Sequence, residues 1–407
     1  MADLPTTTST ILCTCARNIP PILRRELEDL GYVVKAEYPS GVEIEGTLED
    51  CLRLNLWLRT AHRVLFRLGA WEANTADEMY EAVNSVEWDQ WIPAKGYVSV
   101  IGSVDTKSID NVMYANMRCK DAVVDRIRTV RGIRPDSGPD TSMSVVFLYW
   151  HDATLMIYVD TSGTPLSDRG YRISSGKAPM RESLAAAVVL STKWAPHLPF
   201  VNPMTGSGTL GIEAALIGRK IPPGSMRDGF GFMHLLPVDP RVWQTMRREA
   251  IAQVDTKIDL KILCSDNDIR VIRQARENAK RAGVAVSFTV ADFREIAPPA
   301  SGQAPSHESD NEHTPVVIMN PEFGIRIGDE RTLRTTYREI GDLYKQKFRG
   351  YTGYVFTGNF SLAKEIGLRS KRRITFWSAD LECRLLEFEL YEGSRIQYPE
   401  RSSDDVT

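Results

Sequence analysis

The chain has 407 residues, enough for two or three domains, and its apolar and charged fractions are those of ordinary soluble globular proteins. A net charge of −3 excludes a general attraction to nucleic acid or membranes, so any contact with a polyanion must come from a local basic patch. Six cysteines without zinc-type spacing exclude a disulfide framework and indicate reduced, buried thiols. No stretch is apolar enough to span a bilayer and residues 1–10 do not resemble a signal peptide, so we expect a cytoplasmic protein without a membrane partner.

The first 160 residues mix strands and helices without strict alternation, which predicts an α+β region. Thr47 is predicted to open a helix, with Asp50 three residues later as a capping-box partner. Cys51, Leu58 and Leu65 recur every seven residues, which predicts that this helix is long and buries one face.

Two further features of this region are a strand hairpin and a basic helix. Residues 144–160 read as two strands around a turn at 151–153. Residues 116–135 read as an amphipathic helix, whose polar face carries Arg118, Lys120, Arg126, Arg128 and Arg131.

From about residue 183 the pattern changes to alternating strands and helices. Residues 161–182, rich in glycine, serine, proline and basic side chains, read as the linker before this change. The strands "FVN", "KILCSD", "VSFTVAD", "VVIMN" and "GYVFTG" predict a largely parallel sheet with helices on both faces. Two final strands predict an antiparallel edge hairpin, and residues 298–315 read as a solvated loop.

A glycine-rich turn follows the first strand of this second region. Gly206, Gly208 and Gly211 form a G-x-G-x-x-G pattern that lets the backbone approach a ligand at a helix N-terminus. The acid that ends the next strand, Asp266, comes much later than the dinucleotide fingerprint requires, which counts against NAD. Asp266 and Asp292 end the second and third strands, where open sheets bind ligands. Each aspartate alone is more often a helix cap or turn residue, but together with the glycine turn they predict a ribose-containing ligand without pyrophosphate, namely S-adenosylmethionine.

The fourth strand ends in Asn320-Pro321-Glu322-Phe323. The asparagine side chain and the proline carbonyl are acceptors that could hold an exocyclic amino group, and proline fixes the backbone that presents this carbonyl. The phenylalanine ring offers a face on which an unstacked base can lie. Alone, the tetrapeptide is better explained as a plain β-turn with a buried phenylalanine; at the end of this strand it predicts a nucleobase clamp.

With these motifs the chain resembles the THUMP-domain RNA guanine-N2-methyltransferases, specifically the bacterial type that modifies 23S ribosomal RNA. The resemblance covers nearly the whole chain and rests on "CARNIPPILRRELEDLGY", "VDTSGTPLSDRGYR", "NPMTGSGTLGIEAA", "NPEFG" and "LECRLLEFELYEG". It implies a class I, Rossmann-like α/β methyltransferase domain preceded by an α+β ferredoxin-like/THUMP region. The implied divisions are a ferredoxin-like part at 1–50, a THUMP domain at 51–160, a linker at 161–182 and a methyltransferase domain at 183–400.

The resemblance also implies roles for individual residues. S-adenosylmethionine would be held by the residues at the first three strand ends: Asn202, Thr205, Gly206, Gly208, Asp266, Asn267, Asp292 and Phe293. The target guanine would be held by Asn320, Pro321, Glu322 and Phe323, for direct methyl transfer without a covalent enzyme intermediate or a metal. Candidate RNA phosphate contacts, which are equally explained as solvated surface, are Arg118, Lys120, Arg126, Arg169, Arg172 and Lys177.

Two departures from the family pattern leave alternatives open. The glycine turn usually begins with Asp and contains Cys, where this chain has Asn202 and Thr205, and Glu322 replaces a second proline. Glu322 could accept a hydrogen bond from the target amino group or could reshape the pocket. The alternatives are an RNA-binding or ribosome-assembly factor with weakened or lost catalysis, a tRNA guanine-N2-methyltransferase, and a DNA adenine methyltransferase. Since the chain shows no second methyltransferase domain, one chemistry is expected.

Overall fold

The structure is a computed structural model that describes residues 7–172, 180–299, 313–323 and 330–391. Its strands form two sheets, one in the N-terminal half (residues 7–160) and one in the C-terminal half (residues 180–391). Lys177 and most of the loop predicted at 298–315 lie outside the described residues.

The N-terminal half is one mixed sheet with helices, in the strand order β2-β3-β1-β4-β8-β7-β5-β6. Its elements are β1 (Ser9–Thr14), α1 (Pro20–Asp29), β2 (Val34–Tyr38), β3 (Gly41–Gly46), α2 (Leu48–Trp57), β4 (Arg63–Glu72), α3 (Ala76–Asn84), β5 (Tyr97–Asp105), α4 (Val112–Arg131), β6 (Asp136–Ser137), β7 (Ser144–His151) and β8 (Thr154–Asp160). The predicted hairpin at 144–160 is confirmed as β7 and β8, which pair antiparallel.

The elements from β1 to β4 form a βαββαβ unit. β1 lies between β3 and β4 and is antiparallel to both, and β4 continues far enough to pair with β8. This strand therefore joins the first unit to the rest of the sheet. The domain boundary predicted at residue 50 falls within α2. The βαββαβ unit extends beyond this boundary, since its second helix and its fourth strand follow residue 47.

The start of α2 was predicted correctly, but its length was not. Thr47 and Asp50 form the capping box, with both reciprocal hydrogen bonds present. The helix ends at Trp57, and Leu58 is extended (φ −69°, ψ 129°). The Glu26 carboxylate accepts the N–H groups of Arg59 and Thr60, which stabilises the turn away from the helix. The seven-residue spacing therefore does not mark one helical face: Leu65 lies in β4 and is buried, but Val64 and Phe66 on either side of it, rather than Leu65, join the core that contains Cys51 and Leu58.

The C-terminal half has a seven-stranded sheet in the order β11-β10-β9-β12-β13-β15-β14. Its elements are α5 (Glu182–Leu190), β9 (Phe200–Pro203), α6 (Thr209–Gly218), α7 (Pro240–Ala252), β10 (Ile262–Asp266), α8 (Ile269–Arg281), β11 (Ser287–Val290), β12 (Val316–Met319), α9 (Glu330–Lys347), β13 (Thr352–Thr357), α10 (Phe360–Ala363), β14 (Arg372–Ser378) and β15 (Leu381–Glu389). The first five strands are parallel, and β15 is antiparallel to its neighbours β13 and β14. The predicted parallel sheet and final hairpin are confirmed.

Short-range sequence signals account for these elements, as α8 illustrates. Asp268 caps its first turn, Lys280 and Arg281 lie in its last turn, and Gly283 follows with a positive φ of 67°. Apolar residues at helical spacing, such as Ile272 and Ala275, face the core.

All six cysteines are buried and free, as predicted. In the described ranges, no helix combines the length and apolarity needed to cross a membrane.

A docking insertion, residues 219–239 between α6 and α7, packs the C-terminal half against the N-terminal half. Ser144 Oγ donates to the His234 carbonyl (3.1 Å), and the Leu236 N–H donates to the Trp91 carbonyl (2.9 Å). Arg227 is 6% exposed, and its guanidinium donates to four carbonyl groups of the connecting segment, residues 161–172. This satisfaction of backbone acceptors allows a segment predicted as a linker to be largely buried.

Candidate active site

The glycine-rich turn after β9 has a left-handed backbone at three positions. Met204, Gly206 and Gly208 have φ values of 60°, 57° and 85°. A Cβ atom on Gly208 would lie 3.0 Å from the Ala275 side chain and 3.1 Å from the Phe288 ring, so this position requires glycine for space as well as for φ. Gly208 is also the N-cap residue of α6. Because glycine has no side chain, Gly208 makes no capping hydrogen bond to the N–H groups of the first helical turn.

Asn202 and Thr205 stabilise this turn from inside the protein. Asn202 is fully buried; its Nδ2 donates to the Ile318 carbonyl of β12 (2.9 Å), and its Oδ1 accepts from Thr205 Oγ1 (2.9 Å). An aspartate could not donate to Ile318, so the asparagine suits this arrangement without burying a charge. Both side chains use their polar atoms on the protein and shape the turn rather than face a ligand.

Asp266 connects the end of β10 to the glycine turn. Its Oδ2 accepts the Gly206 N–H (3.0 Å) and its Oδ1 accepts the Asp268 N–H (3.1 Å). Each carboxylate oxygen has a second lone pair, so a half-buried Asp266 can still accept from a ligand hydroxyl. Asn267, predicted beside it, is exposed.

Asp292 and Phe293 lie just beyond the end of β11, both half-buried. Asp292 caps a 3₁₀ turn (Phe293–Glu295), and its carboxylate forms an ion pair with Arg294 (Nη2 to Oδ2, 2.6 Å). The hydrogen bond from Arg294 lowers the pKa of Asp292 below its ordinary value, so this carboxyl is ionised at neutral pH.

At the end of β12, Asn320 carries an unsatisfied acceptor. Its Oδ1 atom is buried and has no hydrogen-bond partner among the described residues. Pro321 is buried and Glu322 is exposed. The backbone of Phe323 is held by Asn359, whose Nδ2 donates to its carbonyl (2.9 Å), and its half-buried ring lies 6.3 Å from the ring of Phe356.

The glycine turn, Asp266, the Asp292–Phe293 pair and the segment 320–323 lie along one edge of the sheet. This edge is formed by the carboxyl ends of β9 to β12 and is called here the strand-end edge. The Ala291 N–H donates to the Asp266 carbonyl (3.1 Å), which joins β11 to β10. Gly206 joins β10 to β9 through Asp266, and Asn202 joins β9 to β12. The structure thus places the predicted cofactor residues and the predicted base clamp on adjacent strand ends.

The basic residues proposed as phosphate contacts divide into two groups. On α4, Arg118 pairs with Asp77 (2.9 Å), Lys120 with Asp121 (3.3 Å) and Arg126 with Asp89 (3.8 Å). These cations are partly exposed but already have acidic neighbours, so phosphate contacts through them remain a prediction.

Arg169 does not lie on the surface. It is 1% exposed, donates to the carbonyls of Leu166 and Arg59, and lies 3.7 Å from the Glu213 carboxylate. This corrects the prediction of a phosphate contact, because the guanidinium is enclosed between the connecting segment and α6. Arg172 is also mostly buried, paired with Glu182 (2.8 Å).

Sequence reasoning missed several residues that support the site. Asn278 of α8 is 1% exposed and donates from Nδ2 to the Ser207 carbonyl (3.1 Å), which anchors the glycine turn. The Tyr337 hydroxyl bonds to Thr357 (2.7 Å) and to the Glu322 carbonyl (3.4 Å), behind the predicted base clamp. A signal existed for Asn278, since an amide on the apolar face of a helix requires a buried partner. No group of three or more metal-type ligands occurs within the residues that the structure describes.

Sequence profiles of three protein families match successive parts of the chain. They are the RlmL ferredoxin-like domain at residues 10–65, the THUMP domain at 73–160, and the RMKL-like methyltransferase domain of family UPF0020 at 169–387. The resemblance inferred from the motifs is therefore confirmed.

Individual relatives agree with these profiles. "Putative RNA methyltransferase slr0064" of Synechocystis sp. is 32% identical over 95% of this chain and 98% of its own length. Ribosomal RNA large subunit methyltransferase K/L of Syntrophotalea carbinolica is 35% identical over 93% of this chain but 53% of its own length. The chain thus spans about half the length of its K/L relatives.

A solved structure shows the same arrangement of both halves. The crystal structure of SMU.472 complexed with SAH superimposes with a TM-score of 0.81 at 27% identity, over 95% of this chain and 99% of that one. Together with the strand order and the glycine turn, these matches give one conclusion. The chain belongs to the THUMP-domain RNA methyltransferases whose catalytic part is the RMKL-like methyltransferase domain.

Proposed function

We propose that the chain transfers a methyl group from S-adenosylmethionine to the exocyclic N2 of a guanine in RNA, with 23S ribosomal RNA as the substrate. The observation that carries this proposal is the buried Oδ1 of Asn320 at the strand-end edge, which has no hydrogen-bond partner in the part of the chain that the structure describes. Leaving a buried acceptor without a donor costs about 1–3 kcal/mol, so such an atom indicates a missing donor. An amino group of a base placed beside the glycine turn would supply one.

The residues present fit the cofactor. The glycine turn offers its backbone to a ligand, since no atom of the described residues lies within 4 Å of a Cβ placed on Gly206, and Asp266 retains acceptor capacity for ribose hydroxyls. Asn202 and Thr205, which depart from the family pattern, bond to each other and keep the turn in shape. This supports a retained cofactor site over a degenerate binding module. When bound, S-adenosylmethionine supplies an electrophilic methyl group.

The chain's own contribution is positioning. The Asn320 amide oxygen and the Pro321 carbonyl would accept hydrogen bonds from the two N–H groups of the target amine, which directs the nitrogen toward the donor and increases its electron density. The N–C bond would form as the methyl–sulfur bond breaks, and one proton of the amine would leave to water. The Phe323 ring packs near Phe356, and the backbone carbonyl of Phe323 accepts from Asn359; the ring offers a stacking face worth about 1–3 kcal/mol. No covalent enzyme intermediate is required.

The THUMP domain and the names of the relatives support RNA as the partner. Ribosomal RNA as the substrate would place the protein in the cytoplasm. A transfer RNA substrate or methylation of DNA adenine would give a different product, so the modified nucleoside decides among these activities.

The first test is Asn320→Ala. We expect S-adenosylmethionine binding, measured by calorimetry, to stay within about threefold of the unmodified protein. Methyl transfer should fall by about 100-fold or more, as happens when a positioned polar group is lost from a reacting centre. The measurement is mass spectrometry of nucleosides from ribosomal RNA of a deletion strain complemented with each variant.

A matched control is Asn84→Ala, which removes an asparagine of α3 that donates to the Ala122 carbonyl, far from the strand-end edge. It should methylate normally. If ribosomal RNA from the Asn320→Ala strain contains as much N2-methylguanine as RNA from the strain with the unmodified protein, the proposed site is wrong. If the deletion strain lacks a modified nucleoside other than N2-methylguanine, the proposed activity is wrong.

A further inference from the structure

Arg172 lies between the first turns of α5 and α6. Its Nε donates to the Glu182 carboxylate (2.8 Å), and its Nη2 donates to the Met180 carbonyl (2.9 Å) and to Thr209 Oγ1 (3.3 Å). Thr209 is the first residue of α6, directly after the glycine turn. The guanidinium therefore lies beside the cofactor cradle, with 14% of its side chain exposed.

Part of this guanidinium has no acceptor. The Nη1 atom of Arg172 is buried and has no hydrogen-bond partner within the described ranges. Next to Glu182, the hydroxyl of Ser183 is in the same condition, on a residue that is fully buried. Since buried donors are nearly always paired in native proteins, two donors without a partner among the described residues, at the start of α5 and beside α6, indicate an absent acceptor.

The electrostatic surroundings favour an anion. The first turn of α6 carries the positive end of the helix dipole, and Gly208 provides no side-chain cap for its N–H groups. Glu182 neutralises Arg172 from one side through Nε, which leaves Nη1 to bind a second carboxylate.

We propose that Arg172 binds the carboxylate of the methionine moiety of S-adenosylmethionine through Nη1. This rests on the proposed cofactor, which carries one carboxylate. The adenosine end is assigned to Asp266 and Asp292 on the other side of the glycine turn, so the amino-acid end lies toward α5 and α6. Arg172 is thus a cofactor-binding residue rather than an RNA phosphate contact.

The test compares S-adenosylmethionine with decarboxylated S-adenosylmethionine, which keeps the sulfonium and the amine but lacks the carboxylate. By calorimetry, the unmodified protein should bind the intact cofactor about tenfold or more tightly than the decarboxylated one, as expected for a hydrogen-bonded charge pair. In Arg172→Met this ratio should fall to about one, with decarboxylated cofactor bound within about twofold of the unmodified protein.

Binding of the decarboxylated cofactor also reports a folded pocket. Equal losses for both ligands in Arg172→Met, or an unchanged ratio, would overturn the proposal and leave a structural role. Should Arg172→Met not fold, Arg172→Lys decides: a shortened donor must lower the ratio at least threefold, or the proposal fails. Arg241→Met, which removes an exposed arginine of α7, should keep the full ratio. If the unmodified protein binds neither ligand, the cofactor assignment itself fails, which is a separate outcome.

Discussion

At the scale of single residues, glycines with the same backbone conformation differ in their surroundings. Gly208 and Gly283 both have positive φ, at 85° and 67°. A Cβ on Gly208 would press against Ala275 and Phe288, whereas nothing lies within 4 Å of the same position on Gly283. The glycine pattern in the sequence identifies the turn, but these contacts depend on α8 and β11, which come much later in the chain.

Gly208→Ala should destabilise the protein more than Gly283→Ala. Both variants strain a left-handed backbone by about 1 kcal/mol, and crowding at Gly208 should add a further 1–3 kcal/mol. Chemical denaturation of the two variants measures the difference. Equal midpoints would mean that α8 and β11 move aside without cost.

His62 makes stability sensitive to acid. Burial, and then the nearby cations Arg181, Arg63 and Arg169, lower its pKa from 6.5 to about 4. The folded state therefore holds fewer protons than the unfolded state between these values, and stability is lost as the pH falls from 6.5 toward 4. At pH 5 the free energy of unfolding that is lost through this histidine is on the order of 1–2 kcal/mol.

His62→Gln should remove this contribution. Urea denaturation at pH 7 and pH 5 should show a smaller loss of stability on acidification for the variant than for the unmodified protein. If the difference between the two proteins is independent of pH, the histidine titrates alike in the folded and unfolded states and the prediction is wrong.

Residue-scale predictions from sequence succeed where chain neighbours determine the outcome. The glycines and the polar residues at strand ends could be found because parallel strands bring their carboxyl ends to one edge. The burial of Arg169 could not, because one partner, the Arg59 carbonyl, lies 110 positions away. A basic side chain in a glycine-rich stretch gives no sign of such a partner.

At the scale of elements, local signals predict where helices begin better than where they end. The capping box at Thr47 is visible in four residues, whereas α2 ends where Glu26 of α1 accepts N–H groups that follow it. Three aspartates illustrate the local signals: Asp239, Asp268 and Asp292 each cap a helical turn and each pair with the arginine two positions later. An Asp-x-Arg sequence before a helical turn is therefore a readable start signal in this chain.

At the scale of the whole molecule, the docking insertion determines how the halves meet. Residues 161–172 of the predicted linker are largely buried because Arg227 donates to the carbonyls of Ser162, Thr164, Pro165 and Asp168. Burial lowers the pKa of Arg227 to about 10, which leaves it charged at neutral pH. Composition alone predicts a solvated segment here, since it does not reveal a donor supplied by another part of the chain.

Arg227→Lys should destabilise the protein by about 2–4 kcal/mol, because an ammonium group cannot reproduce the planar fork that reaches several carbonyls. Arg241→Lys, at an exposed arginine of the same half, should cost less than about 0.5 kcal/mol. Guanidinium denaturation measures both. Similar midpoints for the two variants would show that water replaces the lost donors at little cost.

The docking insertion has a consequence for how a substrate is chosen. Because it fixes one half against the other, Asn320 stands at a set offset from the surface of the THUMP sheet. On the proposed function, an RNA bound to that surface would deliver to Asn320 only a nucleotide that lies at the matching distance along its folded path. Target choice would then follow from measurement of that distance, and a guanine displaced by a few nucleotides would remain unmodified even with identical flanking bases.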